Sequence, residues 1–267
     1  MKRSYALGLV ASVALYVAGC YTNPVTGRQS LVLISEGQEL QLGEQSFNEI
    51  RSQEKVSKDP AQNARIKKIG DRIAKAVGDA MPNAKWEFVV FESDQVNAFA
   101  LPGGKVGVYT GLIKLAGNSD DEVAIVLGHE IAHVIARHGA ERMSESMVIQ
   151  GVGALGTAVA ETRYSPQTVQ LFQLAYGGAT TLGRVLPHSR GNESEADKMG
   201  AIYAARAGYD PRAAIAFWKK MAAQKGGGGG KLQDFLSTHP SDSKRIQDLE
   251  AMMPEVVPIY EQNKKRS

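Results

Sequence analysis

Two histidines four residues apart, with a glutamate directly after the first, make His129-Glu130-Ile131-Ala132-His133 the stretch of this chain best suited to chemistry. On an α-helix such residues lie one turn apart with Cβ atoms about 6 Å from each other, so both imidazoles can reach one metal ion. Glu130 falls on an adjoining face, from which its carboxylate reaches an attacking water without ligating the ion. The chemistry implied is metal-assisted hydrolysis with a glutamate as general base.

The flanking residues must build the helix that this spacing requires. Ser119 followed three residues later by Glu122 reads as a capping box, and Asp120 and Asp121 place negative charge at the positive end of the helix dipole. Val123, Val126, Leu127, Ile131, Val134 and Ile135 supply a buried face, so the histidines enter from the core side. Burying two histidines and a glutamate in one turn is costly unless something neutralises them, and a metal does so.

A metzincin would carry Gly and a third His at the positions held here by Ala136 and Gly139, which excludes that class. His138 reads as a polar residue near the helix end that interacts with the terminal carbonyls. The third ligand comes from elsewhere, and a carboxylate is the common alternative. In Gly191-Asn192-Glu193-Ser194-Glu195-Ala196-Asp197, Glu193 and Asp197 stand one helical turn apart. Glu193 is expected to ligate and Asp197 to accept the free N–H of a ligand histidine. Glu195 projects away from them and is expected on the surface.

These motifs, together with Val96-Asn97-Ala98-Phe99-Ala100-Leu101-Pro102-Gly103-Gly104, Val108-Tyr109-Thr110-Gly111-Leu112 and Thr238-His239-Pro240, resemble the HtpX and CaaX-prenyl-protease-like zinc metallopeptidases, peptidase family M48. The likeness runs from about Asn23 to Ile246. It implies one Zn2+ per chain held by His129, His133 and Glu193, with Glu130 the catalytic carboxylate. His239 matches a family histidine near the metal and Arg245 an arginine after it. Either could stabilise an oxyanion, and His239 could alternatively fill the open zinc position and keep the enzyme latent. The expected fold is α+β, a mostly helical zincin-like domain with a small antiparallel sheet. One strand edge, assigned to Asn97, Ala98 and Phe99, is expected to bind substrate backbone in extended form. The chain departs from HtpX in having no multiple membrane spans, and it is most similar to short periplasmic lipoprotein members.

Composition fits one domain. Of 267 residues, 43% are hydrophobic and 22% charged, which is ordinary for a globular chain, and the net charge of +3 falls to +1 without Lys2 and Arg3, so no basic stripe argues for nucleic acid. Residues 1–19 read as a lipoprotein signal peptide: a positive start, an apolar core from Ala6 to Ala18, and Val17-Ala18-Gly19-Cys20 resembling a lipobox. Cys20 is the only cysteine, so an intrachain disulfide is excluded and lipidation is expected, each buried CH₂ contributing about 0.8 kcal/mol of membrane affinity. Tyr21 is not the aspartate associated with inner-membrane retention, which favours the periplasmic face of the outer membrane.

Residues 20–34 are expected to form a leader spacing the domain from lipid, 35–253 the peptidase domain, and 254–267 a tail. Ser35 and Asp59-Pro60 start two helices, the second buried through Ile66, Ile69, Ile73 and Val77. Trp86 to Phe91, Val96 to Leu101 and Lys105 to Tyr109 read as strands. Met147 to Ala160 is uncharged but too short to span a bilayer, the stretch from Ser165 to Gly178 is a candidate cleft cover, and Gly226 to Gly230 is a linker before His239. The functional expectation is a membrane-tethered endopeptidase acting on unfolded or misassembled envelope polypeptides in protein quality control. The alternative is a non-catalytic, zinc-containing, chaperone-like binding lipoprotein.

Overall fold

The caps written into the sequence set most of the helix starts. The computed structural model describes residues 20–149, 165–175, 189–223, 235–236, 239 and 243–264, with 147–149 and 172–175 as backbone only. Strands β1 (Cys20–Thr22) and β2 (Gln29–Leu31) pair antiparallel. Helix α1 (Glu36–Gln53) starts with a complete capping box between Ser35 and Gln38, and α2 (Pro60–Val77) with Asp59 as cap and Pro60 in its first position. As expected, α2 buries Ile66, Ile69, Ile73 and Val77.

Strands β3 (Glu87–Phe91), β4 (Ala98–Leu101) and β5 (Lys105–Tyr109) form a sheet in the order β3-β5-β4. The β4–β5 hairpin turns through Pro102-Gly103-Gly104, where both glycines take positive φ, 90° and 83°. Only this pairing in the sheet is antiparallel. Because β5 returns between β3 and β4, it runs parallel to β3.

A 3-10 turn at Gly78–Ala80 follows α2, and helices α3 (Thr110–Ala116), α4 (Asp120–Ile135), α5 (His138–Ile149), α6 (Pro166–Ala175), α7 (Arg190–Arg206), α8 (Ala213–Ala223) and α9 (Ser243–Asn263) follow the sheet. The domain is therefore α+β and mostly helical. Ser119 caps α4 by accepting from the Glu122 N–H at 3.1 Å, but the Glu122 carboxylate turns to Lys220 Nζ at 2.5 Å, so the box is half formed. Every residue of α4 from Glu122 to Ile135 is buried, not one face alone. Strand β4 packs on it, α7 crosses it, and α2, α3 and α8 flank it.

The crossing of α4 and α7 is unusually close. A Cβ on Gly128 would stand 2.7 Å from the Gly200 carbonyl oxygen, and one on Gly200 would stand 2.6 Å from His129 N. Glycine at both positions lets the backbones touch, which draws the first turns of α7 alongside the histidines.

Two boundaries differ from expectation. Helix α9 continues through Pro254 and Pro258 to Asn263, past the expected domain end at 253. Each internal proline removes one helical hydrogen bond. Burial of Val256 against Ala201 and Ala205 of α7 holds the helix together regardless. Residues 20–34 do not stand off as a spacer either: Asn23 is 1% exposed, and the Tyr21 hydroxyl donates to the Ile135 carbonyl at 2.8 Å. The signal segment, most of the uncharged run 147–160, the stretch from 176 and the linker 226–230 lie outside the described residues.

Gly200→Ala is expected to lower the unfolding free energy by about 1–3 kcal/mol through overpacking and to reduce bound metal at the same time. Calorimetry and elemental analysis check this, and an unchanged variant would show that the two backbones do not meet.

Candidate metal centre

His129 and His133 project from one side of α4 with ring centroids 4.6 Å apart and Nε2 atoms 3.0 Å apart. Across the glycine crossing, α7 starts at Ser189, whose hydroxyl accepts from Asn192 N at 3.1 Å. Its first turn carries Glu193, with Oε1 3.3 Å from His133 Nε2 and Oε2 3.5 Å from His129 Nε2. His239 adds a fourth donor, its Nδ1 3.2 Å from His129 Nε2 and 3.1 Å from Glu193 Oε1. One ligand atom from each of His129, His133, Glu193 and His239 falls within 4.8 Å of every other, and all four side chains are buried. Five of the donor pairs stand 3.0 to 3.5 Å apart, close to the separation of neighbouring donors held about 2.0–2.2 Å from one ion.

Glu130 tests whether these residues fit a hydrolytic metal. It is 4% exposed, and its Oε1 makes no hydrogen bond, with His239 Nε2 3.4 Å away. Burial pushes its carboxyl pKa up. An unbonded carboxylate oxygen in the core is destabilising unless it serves the ion or the water beside it, so the residues fit.

Burial alone would also raise the Glu193 pKa, but His239, Arg245, His129 and His133 hold it well below the usual carboxylate range. Burial drives the His133 pKa well below that of free imidazole. For His129 burial acts the same way, but hydrogen bonds to Asp197 and Glu193 outweigh it and bring the value up to about 9. Before a cation is held these contacts favour protonated His129, and binding an ion displaces that proton.

Arg245, from α9, pins the acidic groups. Its Nε and Nη2 reach Asp197 Oδ2 and Oδ1 at 2.5 and 2.7 Å, its Nη1 reaches Glu193 Oε2 at 2.6 Å, and its guanidinium lies 3.6 Å over the Trp218 ring. Asp197 Oδ1 in turn stands 3.0 Å from His129 Nδ1, the orienting contact expected from the sequence. Arg245 is thus bound to two carboxylates.

Two residues are corrected. Glu195 is 8% exposed rather than on the surface, and His138 is fully buried and opens α5 rather than closing α4. His138 Nδ1 lies 2.7 Å from His133 Nδ1, and its Nε2 lies 2.9 Å from Glu195 Oε2. Burial raises the Glu195 pKa, but hydrogen bonds from His138, Thr26 and Arg28 bring it to about 2. Helical periodicity sends Glu195 away from Glu193, yet the far side of α7 faces the N-terminal segment. No local signal marks partners that far apart in sequence. Asn97, Ala98 and Phe99 lie at and within β4, buried, beside α4. Cys20 opens β1 as an exposed free thiol.

Comparison with known families agrees with this geometry. The profile of peptidase family M48 matches residues 60–253, a span that contains every donor named above. The chain belongs to peptidase family M48. Among relatives of this M48 metallopeptidase, mitochondrial metalloendopeptidase OMA1 of Saccharomyces cerevisiae is 31% identical, over 94% of this chain and 76% of its own length. The human metalloendopeptidase OMA1 is 29% identical over 96% of this chain and 51% of its own length. The beta-barrel assembly-enhancing protease of Escherichia coli is 27% identical over 98% of this chain. The chain spans about half the length of the human and Escherichia coli proteins.

Arg245→Gln leaves Asp197 and Glu193 buried without their counter-charge and is expected to cost about 3–5 kcal/mol of stability, recovered in part by saturating metal. Urea unfolding with and without metal measures this, and a loss below 1 kcal/mol would contradict the pinning role.

Proposed function

We propose that this M48 metallopeptidase is a zinc metalloendopeptidase, tethered to the bacterial envelope by lipid on Cys20, that cleaves unfolded or misassembled envelope proteins. The observation that carries the catalytic part is the buried, hydrogen-bond-free Glu130 oxygen beside four convergent metal donors. A structural zinc site has no use for an unligated acid. The donor set of imidazoles and one carboxylate suits Zn2+. When bound, zinc supplies Lewis-acid chemistry, polarising the scissile carbonyl and acidifying the attacking water.

The remaining steps belong to side chains. Glu130 takes a proton from the attacking water and delivers it to the departing amine. Its raised pKa suits both transfers. His133 and His129 are kept in their ligating tautomers by partners on their Nδ1 atoms. Strand β4 pairs on one side only, with β5, among the described residues. Its other edge, at Asn97, Ala98 and Phe99, is the one assigned to an extended substrate, which would have to displace the neighbours that bury these residues.

Tethering rests on the signal-like segment before Cys20 and on the exposure of that thiol. No described helix is long and apolar enough to cross a membrane. The Escherichia coli relative's name supports an envelope role.

His239 favours a second state of the same enzyme. With its Nδ1 among the donors and its Nε2 facing Glu130, it fills the position that a substrate carbonyl would need. In this reading the chain rests latent, and withdrawal of His239 opens the site.

Glu130→Gln is expected to keep zinc, by elemental analysis, while losing at least a thousandfold in casein hydrolysis; full activity would refute the mechanism. His239→Ala is expected to raise activity on an unfolded substrate several-fold. A fall would assign His239 to transition-state stabilisation, and no change would remove it from both roles.

A further inference from the structure

The N-terminal segment makes a chain of contacts that ends on a metal donor. Tyr21 hydrogen-bonds the Ile135 carbonyl at the end of α4. Asn23 Nδ2 donates to Glu195 Oε1 at 2.8 Å, the Thr26 hydroxyl donates to the same oxygen, and Arg28 Nε donates to Oε2 at 2.5 Å. Arg28 also grips Glu141 through both terminal nitrogens, at 2.8 and 2.7 Å, and Asn192 Nδ2 reaches Glu141 at 3.2 Å. Three donors from one strap thus converge on the carboxylate that holds His138.

The turn after α4 aims His138 at this point. Arg137 takes φ 56°, a left-handed conformation unfavourable for a non-glycine residue. Hydrogen bonds from its guanidinium to Glu39 Oε2 and to the Ile34 carbonyl, both at 2.6 Å, hold it there, and Ile34 ends the strap. The turn reverses the chain so that His138 lies under His133, with ring centroids 4.9 Å apart.

Proton bookkeeping along the chain is consistent. The Glu195 carboxylate only accepts, so His138 Nε2–H donates to it and the His138 Nδ1 lone pair is left to accept from His133 Nδ1–H. His133 Nε2 is then deprotonated and faces Glu193 and His129. Helix α7 therefore holds one imidazole from both ends, through Glu193 directly and through Glu195 by way of His138.

We propose that His138 and Glu195 are positioning residues for the His133 ligand, and that the strap 20–34 belongs to the metal centre by clamping Glu195 and the Arg137 turn. The inference rests on the zinc-peptidase reading and adds a consequence: metal retention depends on the strap being docked. Orienting contacts of this kind typically change metal affinity ten- to a hundredfold.

The test is zinc affinity of the full chain by competition with a chromophoric chelator, together with the visible spectrum of the Co2+-loaded protein. His138→Ala and Glu195→Ala are expected to raise the zinc Kd about ten- to a hundredfold and to alter the cobalt bands, with Glu195→Gln, which keeps an acceptor for His138, in between. Arg28→Gln, a milder change on a half-buried side chain, is expected to shift the Kd in the same direction by several-fold and covers the case in which an alanine variant fails to fold. Ile69→Val, destabilising but remote, is expected to leave Kd and spectrum alone. If parent and network variants bind zinc within twofold of each other with identical cobalt spectra, or if Ile69→Val weakens zinc equally, the positioning role is overturned while the zinc reading stands. A parent that binds no zinc overturns both.

Discussion

Three ionisable side chains sit on a helix with water on no side, and the rest of the structure answers that constraint. His129, Glu130 and His133 lie within a run of α4 that is buried throughout. Desolvation of this kind is destabilising by several kcal/mol for each charged group unless partners are built around it. The close crossing at Gly128 and Gly200 is what admits those partners, because it brings the acidic start of α7 within hydrogen-bonding reach of both rings.

The compensation is layered. Glu193 faces the metal-binding nitrogens, Asp197 and His138 face the opposite ring nitrogens, and Arg245 and Glu195 satisfy those in turn. Arg245 is itself stacked on Trp218, so α8 and α9 contribute through one cation–π contact. Among the described side chains of this site, the Glu130 Oε1 is the one left outside this pattern of satisfied groups, and that exception is what distinguishes a reactive site from a merely buried one.

The parts of this arrangement that are local in sequence could be read there. The four-residue spacing of His129 and His133 and of Glu193 and Asp197 fixes which side chains share a face, whatever the tertiary packing. The caps at Ser35, Asp59 and Ser119 fixed helix starts for the same reason. Features that depend on distant partners could not be read. Glu195 looked solvent-facing because periodicity gives direction without saying what lies in that direction, and here the N-terminal strap does. His138 was assigned to the end of α4 because the left-handed turn at Arg137 is set by Glu39 and Ile34, not by a glycine that would have announced it. Likewise the domain end expected at 253 falls inside α9, because the packing of Val256 on α7 carries the helix on through Pro254.

The central claim is that one ion is shared by two turns of α4 and a carboxylate from α7. Zinc-edge X-ray absorption on the purified chain tests it most directly. The account predicts one zinc per chain, with only nitrogen and oxygen neighbours at about 2.0–2.2 Å, imidazole scattering from at least two rings, and loss of the metal in Glu193→Ala. Absence of stoichiometric zinc, a sulfur neighbour at about 2.3 Å, or an unchanged site in Glu193→Ala would contradict it.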